Sequence, residues 1–222
     1  MRSWITSTVV TDLLATLYAD AAKIDPLARK AAMEANETGE QEADYYKAMR
    51  NAYVPVPREF GNLLYGLARS VKAKVVVEFG TSFGISTIFL ASAIRDNGAG
   101  KLVTTEFVPE KAEQAKKNLA AAGLEDWVEF RIGNALETLK ADLSGQVDLV
   151  LLDGAKGLYL DVLQLLEPHL RPGAIIASDN TDHKSLEAFL GYLRQPENGY
   201  TSSAILTTGS EVSRPHEISI RN

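Results

Sequence analysis

The chain has 222 residues, 45% of them hydrophobic, a formal net charge of -6 and no cysteine. That size supports one globular domain with a sizeable core and room for a terminal extension. The acidic balance, without a long basic run, argues against nucleic acid and anionic membranes as partners, and the missing cysteines exclude disulfides, thiolate metal sites and a cysteine nucleophile.

The opening stretch, MRSWITSTVVTDLLATLYADAAK, alternates apolar with polar residues and lacks the continuous apolar core of a signal peptide. No stretch approaches the roughly 20 apolar residues of a membrane-spanning helix. The expectation is a soluble, cytoplasmic protein. Within this stretch a helix is predicted after a Thr or Asp cap, with Leu13, Leu14, Leu17 and Tyr18 on one face. From Pro26 an Ala- and charge-rich run reads as one or two polar helices around a break at Gly39. The segment YVPVPREF is then extended, because residues before proline avoid the helical region. Residues 1–56 are therefore expected to form an N-terminal helical extension, acting as a lid or a homodimer contact, ahead of the main domain over residues 57–222.

From residue 57 helices and short β-branched runs alternate. Helices are predicted over 57–71, 82–98, 108–124, 134–145, 158–170 and 183–195, with Pro109 in the first turn of the third and Gly123 past its end. Strands are predicted over 73–80, 101–107, 127–133, 147–154 and 172–180. Two more, over 200–208 and 216–222, are joined by a short turn. Strand alternating with helix gives a parallel sheet covered on both faces, and a short turn between the last two strands makes the last one antiparallel. Ligands in such sheets sit at the carboxyl ends of the strands, so the residues there are read one exit at a time.

The first strand ends VVVEFGTSFGIST. Glu78, Gly80 and Gly84 make a turn in which backbone can approach a ligand, ahead of a helix N-terminus. The spacing is neither that of dinucleotide dehydrogenases nor that of a P-loop. A ligand carrying both an amine and a carboxylate fits, and so does a tight turn that binds nothing. The second strand ends on Glu106, an acceptor for ribose hydroxyls or a solvated acid. The third ends at Asn134, which could pair with an adenine edge or simply cap the next helix. The fourth and fifth end on Asp153, with Lys156 three residues later, and on Asp179 and Asn180. Two carboxylates and a carboxamide would meet at one mouth, a hard-oxygen set suited to magnesium, manganese or calcium. The plainer reading is helix capping beside an unrelated Asp–Lys pair. Trp127 and Tyr159 read as packing residues, and His169 and His216 as surface positions.

In this order VVEFGTSFGIST, TTEF, LLDGAKGLY and ASDNTDH resemble the class I S-adenosylmethionine-dependent O-methyltransferases, in particular the cation-dependent branch of catechol and caffeoyl-CoA O-methyltransferases. The resemblance covers roughly residues 50–222. It implies a Rossmann-like, mostly parallel seven-stranded α/β sheet with helices on both faces, its last strand antiparallel. It implies S-adenosylmethionine contacts from Val56, Glu78, Gly80, Ser86, Glu106, Asn134, Ala135 and Asp153. Asp153, Asp179 and Asn180 would hold a divalent cation, magnesium first and manganese or calcium next. Lys156 would be the general base, with His183 the second choice. The implied acceptor is a small catechol-like or phenolic hydroxyl compound. The alternatives are a metal-independent methyltransferase and a non-catalytic S-adenosylmethionine-binding module. Asn134 stands where many members carry Asp.

Overall fold

In the computed structural model the described residues are 3–35, 49–208 and 214–222. Helix α1, Thr8–Ala35, begins earlier than its predicted cap and runs straight through Pro26. A proline in a helix interior costs one backbone donor and crowds the preceding turn. Tertiary contacts of the helix ahead of the proline offset that cost. Before it, Leu14 and Leu17 are buried, and Leu13 and Tyr18 pack on the same core. Immediately before Pro26, Asp25 accepts the backbone N–H groups of Tyr53 (2.7 Å) and Val54 (2.8 Å). The Gly39 break lies outside the described residues.

The alternating part follows as predicted. Strands β1 (Val75–Phe79), β2 (Lys101–Glu106), β3 (Val128–Ile132), β4 (Val147–Leu152), β5 (Leu170–Ser178), β6 (Tyr200–Thr207) and β7 (Arg214–Arg221) form one sheet in the order β3-β2-β1-β4-β5-β7-β6. The first five are mutually parallel, and β7 pairs antiparallel with both β5 and β6. The terminal hairpin thus folds back so that the last strand is interior and β6 forms the edge. Side chains alternate across the sheet. Val76, Leu149, Leu151, Ile175 and Ala177 face one core, while Val77, Val150, Leu152, Ala174 and Ile176 face the other. The first core is closed by α1, α2 (Arg58–Ser70) and α3 (Ile85–Asn97), the second by α6 (Tyr159–Leu166) and α7 (Glu187–Leu193).

Helix α4 (Pro109–Ala121) has its proline in the first turn as read. Helix α5 (Ala135–Thr138) is far shorter than the predicted run over 134–145. Its continuation is diverted: Arg131 donates to the carbonyls of Thr138, Ala141 and Asp142, which holds that stretch as a loop. Among the described residues no helix is long and apolar enough to cross a membrane.

Asp25 fastens α1 to the extended segment at residues 53–56, and Tyr18 adds a second tie by donating to the Val56 carbonyl at 2.9 Å. Asp25→Ala leaves two part-buried N–H groups without their acceptor. It is expected to lower stability by about 2 kcal/mol, read as a shift of the urea unfolding midpoint at constant slope.

Candidate active site

The exits of the five parallel strands open into a cavity of about 600 Å³, within the ordinary range for a small-molecule site. A second hollow, of about 530 Å³, lies at the opposite ends of the strands around Lys74, Asp148 and Arg171 and contains none of the exit residues.

The turn after β1 is fixed by contact. Gly80 has φ +102°, and a Cβ there would lie 2.6 Å from the Asp153 carbonyl oxygen. Only glycine allows β1 and β4 to end so close together. Gly84, also left-handed, starts α3. Ser86 sits in that helix's first turn and lines the cavity, as do Gly80 and the buried Val56.

Glu78 is placed differently. It does not line the cavity but lies beneath it, fully buried. Its oxygens accept from Ser86 Oγ, Thr87 Oγ1 and Thr104 Oγ1, each at 2.6 Å. Burial pushes this carboxyl up to about 7 against the pull of the three hydroxyls, and the Glu106 charge adds to the rise. Glu78 therefore reaches the cavity through Ser86.

Glu106, at the end of β2, is aimed by two backbone donors: Ser82 N–H at 2.7 Å to Oε2 and Val108 N–H at 2.8 Å to Oε1. Each oxygen keeps further acceptor capacity, and Glu106 lines the cavity. Asn134 caps α5, its side chain accepting from Leu136 N–H at 3.0 Å, and still lines the cavity beside Ala135. Trp127 packs against the α1–α3 core. Sequence reading missed Lys111. It is nearly buried in the first turn of α4, its Nζ donates to Ser82 Oγ at 3.2 Å, and it lines the same wall. Burial lowers its pKa, while Glu106 opposes the shift. The one available signal was a lysine five residues after the β2 acid.

Strands β4 and β5 pair in register with Leu152 opposite Ser178, and Asp179 N–H donates to the Leu152 carbonyl at 3.0 Å. The next residue of each strand is an acid, so Asp153 and Asp179 emerge side by side, Asp179 buried and Asp153 partly so. Burial first, and then the Asp179 charge, hold the Asp153 carboxyl well above the usual range, with Lys156 opposing. Burial pushes Asp179 up as well, but His216 and Lys156 outweigh it and hold Asp179 low. Lys156 Nζ lies 3.4 Å from Asp153 Oδ1 and donates to Tyr159 OH at 2.5 Å. The Tyr159 hydroxyl in turn donates to the Asp179 carbonyl at 3.2 Å. Tyr159 packs as read, edge-on to Phe79 and Phe189, but its hydroxyl also carries this link.

His216 is not a surface residue. Strand β7 continues its antiparallel register with β5 and delivers His216 opposite Asp179. The ring is fully buried, stacked on Phe60 at 3.8 Å. Its Nδ1 lies 2.7 Å from Asp179 Oδ1 and its Nε2 2.9 Å from Thr207 Oγ1. The sequence reading failed here because a histidine between a proline and an acid near a chain end gives no periodic signal of burial. His169 is exposed, as read. His183 is exposed at the cavity mouth, its ring accepting from Ser185 N–H.

The donor set fits a hard divalent cation. The Asp179 Oδ1 and His216 Nδ1 atoms are close, yet neither completes a well-aligned hydrogen bond, which leaves a buried carboxylate oxygen with spare capacity. Asp153 is ionised only at a cost that a cation would remove. Asn180, in a left-handed conformation with φ +54°, adds a carboxamide at the cavity wall. Among the described residues no cluster of three His, Cys, Asp or Glu forms, so the third ligand would be that carboxamide.

Comparison with known proteins identifies the family. A family model described as a methyltransferase domain matches residues 77–181. Catechol O-methyltransferase of Mycobacterium tuberculosis is 39% identical over 127 residues. Rv0187 from MTB, solved with cofactor bound, is 30% identical with a TM-score of 0.70, over 87% of this chain and 89% of that one. The chain belongs to the class I S-adenosylmethionine-dependent O-methyltransferases, in the catechol and caffeoyl-CoA branch. The O-methyltransferase TomG from Streptomyces achromogenes, which is involved in tomaymycin synthesis and was solved in complex with S-adenosylmethionine, is 27% identical with a TM-score of 0.68, over 88% of this chain and 89% of that one. The alignment with the Mycobacterium tuberculosis catechol O-methyltransferase spans 57% of that relative's length and 57% of this chain. The seven strands and the antiparallel β7 are the sheet of this methyltransferase family.

The folded chain holds the Glu78 proton more tightly than the unfolded chain does. Its contribution to stability is therefore greatest below about pH 4.5 and declines as pH rises to about 7. Glu78→Gln stays neutral and is expected to remove a decline on the order of 2–3 kcal/mol. Urea unfolding of both proteins at pH 5 and pH 8 tests this. Equal pH dependence in the two would contradict it.

Proposed function

We propose that the chain transfers a methyl group from S-adenosylmethionine to a hydroxyl of a small catechol-like or phenolic acceptor, with a divalent cation held by Asp153, Asp179 and Asn180. The observation that carries this reading is that Asp153, Lys156 and Asn180 line the same cavity as the glycine turn and Glu106, with the Asp179 carboxylate buried directly beside Asp153.

In this reading Glu106 accepts from ribose hydroxyls, Asn134 and Ala135 flank the adenine, and Gly80, Ser86 and Val56 wall the methionine part. Glu78 acts from behind by fixing the Ser86 hydroxyl. Bound at Asp153, Asp179 and Asn180, the cation would lower the pKa of a hydroxyl presented to it. Lys156 is placed to take the proton or to neutralise the oxyanion. Its ammonium is steered by Asp153 on one side and the Tyr159 hydroxyl on the other. Holding donor and acceptor in one cavity supplies the proximity term.

The test is thermal unfolding of wild type and Asp179→Ala with S-adenosylmethionine, with magnesium or manganese, and with both. At about 100 times its dissociation constant a ligand adds roughly 2.7 kcal/mol. Cofactor is expected to stabilise both proteins and metal only the wild type. Stabilisation by cofactor alone in both would favour the metal-independent or binding-module readings. Lys156→Ala is expected to lower kcat for a catechol about 100-fold or more, with cofactor affinity unchanged by calorimetry. A kcat within twofold of wild type would remove Lys156 from the chemistry.

A further inference from the structure

Strand β7 carries a polar ring where its pattern calls for an apolar one. Residues 216, 218 and 220 share one face of the strand, and Ile218 and Ile220 pack against the core closed by α1, α2 and α3. His216 is fully buried on that face, stacked on Phe60 with the two rings 7° from parallel. A buried imidazole is costly unless its nitrogens find partners. Here Nε2 lies 2.9 Å from Thr207 Oγ1, and Nδ1 lies 2.7 Å from Asp179 Oδ1. An apolar side chain would fill the same space more cheaply, so the reach to Asp179 is what distinguishes this ring.

The ring cannot follow the carboxylate. Phe60 holds its face, Thr207 holds Nε2, and pairing with β5 and β6 on either side holds its strand. Nδ1 is thus a fixed point behind Asp179. Both Nδ1 and Oδ1 are closed off from solvent, and neither has another partner among the described residues. Turning Oδ1 away from the ring would strand a buried nitrogen. An oxygen kept against the ring cannot lie beside its twin at one ion, so Asp179 offers a cation a single oxygen. Magnesium and manganese accept single oxygens and fill their remaining octahedral positions with water or substrate. Calcium takes more oxygens, often two from one carboxylate.

We propose that His216 is a positioning residue for the divalent cation: it holds Asp179 to ligation through one oxygen and so sets a preference for magnesium or manganese over calcium. This rests on the cation-binding reading above and adds a residue behind its three ligands. His216 acts only through Asp179 and touches neither the ion nor the substrates.

The experiment titrates the full chain with manganese chloride and with calcium chloride by calorimetry. Wild type is expected to bind manganese about tenfold or more tighter than calcium. His216→Phe keeps an aromatic ring on Phe60 and removes both nitrogens. It is expected to weaken manganese about tenfold or more and calcium less than threefold, so that the preference collapses. His216→Asn returns an N–H donor near the place of Nδ1 and is expected to restore part of the preference. Manganese affinity unchanged in His216→Phe overturns the proposal. So does an equal loss for both ions, which marks a change of charge or fold rather than of geometry, and so does a His216→Asn variant no better than His216→Phe. Pulsed EPR of the manganese-loaded wild type is expected to show no directly coordinated nitrogen. Such a nitrogen would make His216 a ligand and overturn the positioning role. S-adenosylhomocysteine affinity, measured without metal, is expected to stay within twofold in both variants, and a larger loss assigns the effect to the fold and overturns the proposal. If wild type binds S-adenosylhomocysteine but neither ion, the cation-binding reading fails, this proposal fails with it, and the metal-independent reading takes over.

Discussion

Parallel pairing sets the central constraint. Neighbouring strands lie about 4.8 Å apart, and β4 and β5 run in register to Leu152 and Ser178. Whatever follows those residues must emerge side by side, and in this chain both are aspartates. The surroundings compensate only in part. Lys156 approaches Asp153 from the cavity side, and His216 approaches Asp179 from β7. The result is uneven: Asp179 keeps its charge, and Asp153 is pushed toward its neutral form. A structural pair would gain by losing one acid, since burying like charges together brings no stability. That charge balance is the physical basis of the functional proposal.

The same constraint gives a purpose to the reversed hairpin. Had β6 paired with β5, the last strand would lie at the edge, far from the β5 exit. Because β7 is inserted between them, its antiparallel register brings His216 opposite Asp179 and Arg214 next to the Asn180 turn. One strand thereby supplies both the brace behind a carboxylate and a cation at the cavity mouth. The brace is rigid: the imidazole is stacked on Phe60 and tied to Thr207.

The sheet was legible because its signals are local. Short β-branched and apolar runs between helices marked all seven strands, and the residue closing each parallel strand could be read directly as an exit residue. Asp153, Lys156, Glu106 and Asn134 were found that way, and the structure brings them into one cavity. What escaped depends on pairing that no local window contains. The burial of His216 follows from strand order, the entry of Lys111 into the cavity follows from the close packing of α4 on the Ser82 turn, and the retreat of Glu78 beneath the floor follows from three hydroxyls on two other elements. The passage of α1 through Pro26 was missed for a related reason, since propensity was overridden by the tertiary contacts around Asp25 and Tyr18.

Those α1 contacts also bear on how the two halves of the cavity are joined. Ser82, whose N–H aims Glu106, donates its hydroxyl to the Tyr53 carbonyl at 2.7 Å. The Tyr53 N–H is held in turn by Asp25. The Ser82–Glu106 wall therefore hangs from the same helix that carries Arg29. Its connections are hydrogen bonds to backbone, which tolerate little change in length. A shift of α1 large enough to reposition Arg29 would pull on Tyr53 and, through Ser82, on Glu106. Arg29 thus lines the cavity from a helix that cannot move independently of the Ser82–Glu106 wall.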